Sequence, residues 1–130
     1  SNDNPMYYIQ YAHARICSVM RQLGEKQIQH DAALGTANLD KLTESHETGL
    51  ITRLGTYPEM VEKAALSEEP HLLCHYLREL ANDLHTYYNA HQLITDDIAL
   101  RNARLTLILA TRQVLKNGLK LLGVSAPETM

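Results

Sequence analysis

Residues 4–24 read NPMYYIQYAHARICSVMRQLG. Their apolar side chains decide the fold class. Met6, Ile9, Ala12, Ile16, Val19 or Met20, and Leu23 recur at every third or fourth position, the period that gathers side chains on one face of an α-helix. Asn4 offers a capping side chain, and Pro5 suits a first helical position because its missing N–H would have no helical partner there. Gly24 supplies a C-terminal stop. The stretch predicts one long amphipathic helix.

The same reading extends outward along the chain. Leu occupies 21 positions and Val 4, a choice that favours helix because β-branched side chains crowd the helical turn. No stretch alternates with a period of two. A helix is expected over about 44–54, ending at Gly55, and another over 58–66, since Tyr57-Pro58 resets the backbone. Pro70 opens a third, carried to about Ala90 by Leu73, Tyr76 or Leu77, Leu80, Leu84 and Tyr87 or Tyr88. The last should begin after Thr95, whose hydroxyl is placed to cap it, with Asp96 and Asp97 at the positive end of the helix dipole and Gly123 at its close. Residues 25–42 contain Gly35 and only weak periodicity, and read as a long loop or a short helix.

At 130 residues with 45% apolar content, the chain suits a single domain with one core. Six Gly and 4 Pro are too few for a disordered or collagen-like sequence. Two Cys cannot build a disulfide scaffold, so reduced thiols in the cytoplasm are expected. No run approaches the roughly 18 consecutive apolar residues of a membrane helix, and no secretory signal opens the chain. Ser1 and Asn2 read as the remnant of an expression tag, leaving 3–130 as the domain.

The net charge of −3 conceals an uneven distribution. Residues 4–24 carry Arg15 and Arg21 with no acid; residues 98–127 carry Arg101, Arg104, Arg112, Lys116 and Lys120 with none. The intervening 25–97 holds 13 acids against 5 bases. If the two end segments are neighbours, they make an electropositive face on an acidic body, a footprint for phosphates. On charge alone, solvated helix faces explain these residues more simply.

His71, Cys74 and His75 raise a metal site, because residues four apart share a helix face. No fourth ligand is identifiable and Cys74 falls beside the apolar stripe, so a small core residue flanked by surface histidines is the better reading. No Gly-x-Ser-x-Gly turn or Gly-x-x-x-x-Gly-Lys loop is present. The carboxylate pairs Asp96-Asp97 and Glu68-Glu69 sit where helix starts want negative charge. The informative cluster is Tyr11-Ala12-His13-Ala14-Arg15. Tyr11 and Arg15 share a face, and a ring beside a guanidinium can stack on an unpaired base while holding its edge or a phosphate. Tyr7, Tyr8, Tyr87 and Tyr88 extend the platform, or else all these rings are core fillers that keep a hydroxyl at the surface.

Two longer strings carry a resemblance. Residues 4–15, NPMYYIQYAHAR, and 110–130, ATRQVLKNGLKLLGVSAPETM, resemble the two ends of the C-terminal anticodon-binding domain of arginyl-tRNA synthetase. The likeness covers 3–130 and is loose over 25–70. It implies an all-α bundle of about five helices that grips the anticodon stem-loop of tRNA-Arg. Family members use the positions matched here by Tyr11, Arg15, Tyr88 and Met130 for the anticodon, and Arg101, Arg104, Arg112 and Lys116 are the candidate contacts to the RNA backbone. The middle anticodon base is the expected target, because every arginine anticodon carries C there. A separate upstream catalytic domain of the same chain would supply ATP and Mg chemistry; its His-Ile-Gly-His and Lys-Met-Ser-Lys signatures are absent, so these 130 residues are not expected to aminoacylate, and they bind no cofactor of their own. Ile98 interrupts the family's Asp-Ala-Leu-Arg run between Asp97 and Ala99, and Thr129 replaces the Arg of a frequent Glu-Arg-Met ending. The expected protein is cytoplasmic, monomeric and free of membrane contact. The competing reading, from a different functional class, is a helical protein-interaction or metal-binding bundle.

Overall fold

A computed structural model describes residues 4–130; the tag-remnant reading of Ser1 and Asn2 lies outside the described residues. The expected first helix is α1, Pro5–Glu25, with the Asn4 side chain accepting from the Met6 N–H at 2.9 Å. It is followed by α2 (Ala32–Ala37), a 3₁₀ turn (Leu39–Lys41), α3 (Ser45–Gly55), α4 (Tyr57–Leu66), α5 (Pro70–Ala90) and α6 (Ile98–Leu121). The described residues form no strand, and five of the helices have ten residues or more. This all-α architecture is the one the leucine spacing implied.

Two helix ends differ from expectation. The left-handed residue closing α1 is Gln27, at φ 59°, not Gly24. The Ile28 N–H reaches back to the Leu23 carbonyl and the Gln27 N–H to Gly24, satisfying carbonyls the helix leaves open. At the start of α6 the cap is Asp97, whose carboxylate accepts from the Leu100 N–H at 3.2 Å. The Thr95 hydroxyl instead donates to the Asp97 carbonyl. A carboxylate is the stronger partner there because it also meets the helix dipole.

The three long helices form the centre: α1 packs against both α5 and α6, and α5 against α6. Ile9 and Ile16 of α1, Leu77, Leu80 and Leu84 of α5, and Leu105, Ile108, Leu115 and Leu119 of α6 are all fully buried. The two helices with basic sequences therefore lie side by side. Shorter α3 and α4 cover α5, while α2 lies on α6.

The segment 25–42, read as loop or short helix, contains both. Asp31 caps α2 through the Leu34 N–H, and its own N–H donates to the Asn102 side chain on α6. Gly35 is buried against that helix so closely that a Cβ would meet the Asn102 carbonyl and the Thr106 hydroxyl oxygen. After Gly123, at φ 73°, an irregular tail returns across α1: Gln10 Nε2 donates to the Ser125 carbonyl, His13 Nδ1 to Pro127, and Arg21 Nη1 to Glu128.

Candidate nucleic-acid interface

The returning tail and two helices enclose a cleft of about 380 Å³. Helix α1 contributes Tyr11, Arg15 and Arg21; α5 contributes Tyr88; the tail contributes Thr129 and Met130. All four residues expected at the anticodon position are thus gathered around one opening. Helical spacing put Tyr11 and Arg15 together, but Tyr88 is 73 positions further along the chain than Arg15 and arrives through the packing of α5 on α1.

The Arg15 guanidinium is held between two phenol rings, with its carbon 4.3 Å from the Tyr88 ring centre and 5.0 Å from that of Tyr11. Its Nη2 donates to the Tyr11 hydroxyl at 3.3 Å and its Nη1 to Nδ1 of His85 at 3.0 Å. A guanidinium has five N–H donors, so others remain for a ligand. Tyr11 is 37% exposed and leans on Tyr7 in a stacked arrangement, its ring centre 6.4 Å away. The platform therefore offers a partly exposed phenol ring, a planar cation and the thioether of the exposed Met130.

His85 escaped the sequence reading, although it lies one helical turn before Tyr88 and so on the same face of α5. It is buried beside the rings of Tyr8 and Tyr11. Burial first, then the Arg15 charge, holds its pKa below the ordinary histidine value of 6.5, with a backbone contact to Tyr8 opposing. It is neutral at pH 7 and accepts from Arg15. His13, part of the Tyr11–Arg15 string but given no role there, is the second such residue. It too is buried and kept low chiefly by burial, with Arg112 and Lys116 adding to the effect and its bond to Pro127 opposing.

The basic residues of α6 do not form the single face the charge pattern suggested. Arg112 and Lys116 line a smaller cleft of about 170 Å³ with His13, Cys17 and the tail residues Ala126 and Glu128. This cleft adjoins the tail that walls the aromatic one, so both cations remain beside the candidate site. Neither has a carboxylate partner among the described ion pairs. Arg101 lies elsewhere, beside α2, with Nη1 donating to the Thr95 carbonyl. The expectation fails for Arg104, which is only 8% exposed and donates to Glu47 at 2.8 Å and to the Gln92 carbonyl at 2.7 Å. Its charge is consumed by a fully buried carboxylate that also accepts from the Tyr87 hydroxyl at 2.6 Å. Tyr87 is therefore no part of the exposed platform either.

Nothing supports a metal at His71, Cys74 and His75. The two histidines are exposed, His75 pairs with Glu79, and the described residues contain no group of three or more His, Cys, Asp or Glu side chains able to hold an ion. No described helix is long and apolar enough to cross a membrane.

Together, the leucine-packed helices and the aromatic–guanidinium cleft define an all-helical domain with a candidate site between its first helix, its fifth and its final residues. Sequence comparison makes the class more specific: the chain belongs to the DALR anticodon binding domain family, whose profile matches residues 9–130. It is 62% identical to the arginine–tRNA ligase of Thioalkalivibrio sulfidiphilus, 60% to that of Legionella pneumophila and 58% to that of Coxiella burnetii. Each match covers the whole chain and 22% of the relative. Among solved structures, arginyl-tRNA synthetase of Thermus thermophilus superposes over the full chain and 22% of its own length, with a TM-score of 0.84 and 33% identity. The putative arginyl-tRNA synthetase of Campylobacter jejuni matches at the same TM-score and 25% identity, over 27% of its length. The chain spans about a fifth of the curated relatives it matches, and the remainder of those ligases has no counterpart in these 130 residues.

Proposed function

We propose that this domain recognises the anticodon stem-loop of an arginine tRNA on behalf of an arginine–tRNA ligase. The observation that carries the reading is the Arg15 guanidinium held between the Tyr11 and Tyr88 rings at the mouth of a cleft that Met130 also lines. A base splayed from the loop can stack on the exposed part of the Tyr11 ring, and cytosine presents its O2 and N3 as acceptors to the free N–H groups of Arg15. Because His85 and Tyr11 already hold two of the Arg15 donors, the remaining ones are aimed before the RNA arrives. Reading the middle base serves every arginine anticodon, since all carry C there. Arg21, Arg112 and Lys116 are placed on either side of the tail to meet the loop's phosphates.

On this reading a catalytic domain of the same chain performs the ATP- and Mg-dependent attachment of arginine, and the bundle, with no cofactor of its own, works as a monomer in the cytoplasm. The names of the relatives support that placement. Titration of an arginine anticodon stem-loop, against a stem-loop whose middle C is replaced, tests it. The first should bind more tightly by about tenfold or more, the cost of leaving donors unpaired once the RNA has covered them from water. Equal binding would remove the specificity.

A further inference from the structure

The tail from 122 to 130 has no regular backbone pairing beyond the helix end it leaves, and yet its last two residues wall the cleft. Its course is set by three side chains of α1, Gln10, His13 and Arg21, each donating to a different tail carbonyl. Gln10 and Arg21 lie toward solvent, where water competes for the same carbonyls. His13 is buried, and its bond to the Pro127 carbonyl, at 2.9 Å, is the inner one. A carbonyl only accepts, so Nδ1 must carry the proton. Pro127 has no N–H and contributes a fixed φ, which makes its carbonyl a stiff point from which the last three residues project.

We propose that His13 is a positioning residue for the anticodon cleft: through Pro127 it pins the tail and so holds Met130 at the cleft that Tyr11 and Tyr88 also line. The proposal rests on the anticodon reading for its effect on RNA, while its effect on the tail is independent of any ligand. Nδ2 of an asparagine lies close to where Nδ1 of histidine sits. His13→Asn therefore keeps the donor, and His13→Leu fills the space without it.

The test begins with the free 130-residue protein, following the ε-methyl resonance of Met130 by NMR. In the unsubstituted protein and in His13→Asn the methyl should show cross-relaxation to the Tyr11 and Tyr88 rings; in His13→Leu it should lose it. Retention in His13→Leu would overturn the proposal. Affinity for the arginine stem-loop is then measured in two backgrounds. In the full chain His13→Leu should weaken binding by about tenfold, the worth of one lost hydrogen bond to a buried partner, with His13→Asn restoring most of it. In a chain shortened by Thr129 and Met130 the same substitution should change affinity by less than about twofold, because residues in one pathway are non-additive. An equal loss in both backgrounds would show that His13 acts on the bundle and not through the tail. Should His13→Leu fail to fold, Gln10→Ala with Arg21→Ala removes the two outer bonds instead; the Met130 contacts should persist because His13 still holds the tail, and their loss would overturn the pinning by His13. If no stem-loop is discriminated at all, the anticodon reading fails while the methyl contacts still decide the role of His13.

Discussion

A phenol ring is as ready to fill a core as to stack on a base, and in this chain the difference between Tyr87 and Tyr88 is one residue. Tyr87 is fully buried, its hydroxyl bound to Glu47, and burial followed by that carboxylate drives its pKa far above the usual range. Tyr88 turns to the cleft and faces Arg15. Helical spacing alone identified Tyr11 and Arg15 as partners; it could not choose between the two adjacent rings, and Met130 and Tyr88 were reached through family likeness. Replacing Tyr11 by Ala should weaken stem-loop binding by about 1–3 kcal/mol, the stacking contribution of one base on an aromatic ring, while the thermal midpoint of this partly exposed residue stays nearly unchanged. An ammonium has no plane to lie between two rings, so Arg15→Lys should cost about 1 kcal/mol or more in the same titration. The two buried histidines predict a pH effect on stability. Both have folded-state pKa values below the unfolded 6.5. As pH falls below about 6.5 the unfolded chain takes up protons that the folded chain refuses, and stability declines until the folded-state values are reached. Urea unfolding between pH 7.5 and 5.5 should show the midpoint dropping, and a His13→Asn, His85→Gln variant should flatten that drop.

Elements were legible wherever their own side chains decide them. The 70–90 stripe corresponds to α5 at both ends, because Pro70 opens it and its leucines keep one face apolar throughout. Residues 32–37 were not legible, because six residues of AALGTA have no face of their own; they become α2 only by docking on α6 through Gly35, Asp31 and His30, whose Nε2 lies 2.9 Å from the Thr106 hydroxyl. Gly35→Ala would force its methyl into the Asn102 carbonyl and should destabilise the domain by about 1–3 kcal/mol, as overpacking does, with amide exchange accelerated first across 31–41. The end of α1 makes the opposite case. Gln27 adopts a left-handed conformation at an exposed position, which costs a side chain about 1 kcal/mol relative to glycine. Gln27→Gly should therefore raise stability by roughly that amount in denaturant titration.

At the scale of the whole molecule, the asymmetry of charge along the chain is a statement about where acids and bases are in sequence, and folding rearranges it in space. Glu47 belongs to the acidic middle and Arg104 to the basic end, 57 positions apart, and the fold joins them in the core with Tyr87, tying α3, α5 and α6 together. A charged residue is buried only when it finds such a partner, and no local pattern announces one at that separation. This is why the cations looked like one face in the sequence and are divided in the structure. Glu47→Leu would strand the Arg104 charge and should cost about 3–5 kcal/mol, whereas adding Arg104→Met to it should recover a large part of the loss. The cations left at the surface near the tail then set the electrostatics of binding. If Arg21, Arg112 and Lys116 each meet one phosphate, the logarithm of the association constant should fall with the logarithm of salt concentration at a slope of about −2, each single-stranded phosphate contact contributing about −0.7. Lys116→Gln should flatten that slope by about 0.7 and weaken cognate and middle-base-substituted stem-loops equally, because a phosphate contact carries no base information. A loss of discrimination in Lys116→Gln would place that cation at the base edge, on the other side of the tail from where its cleft lies.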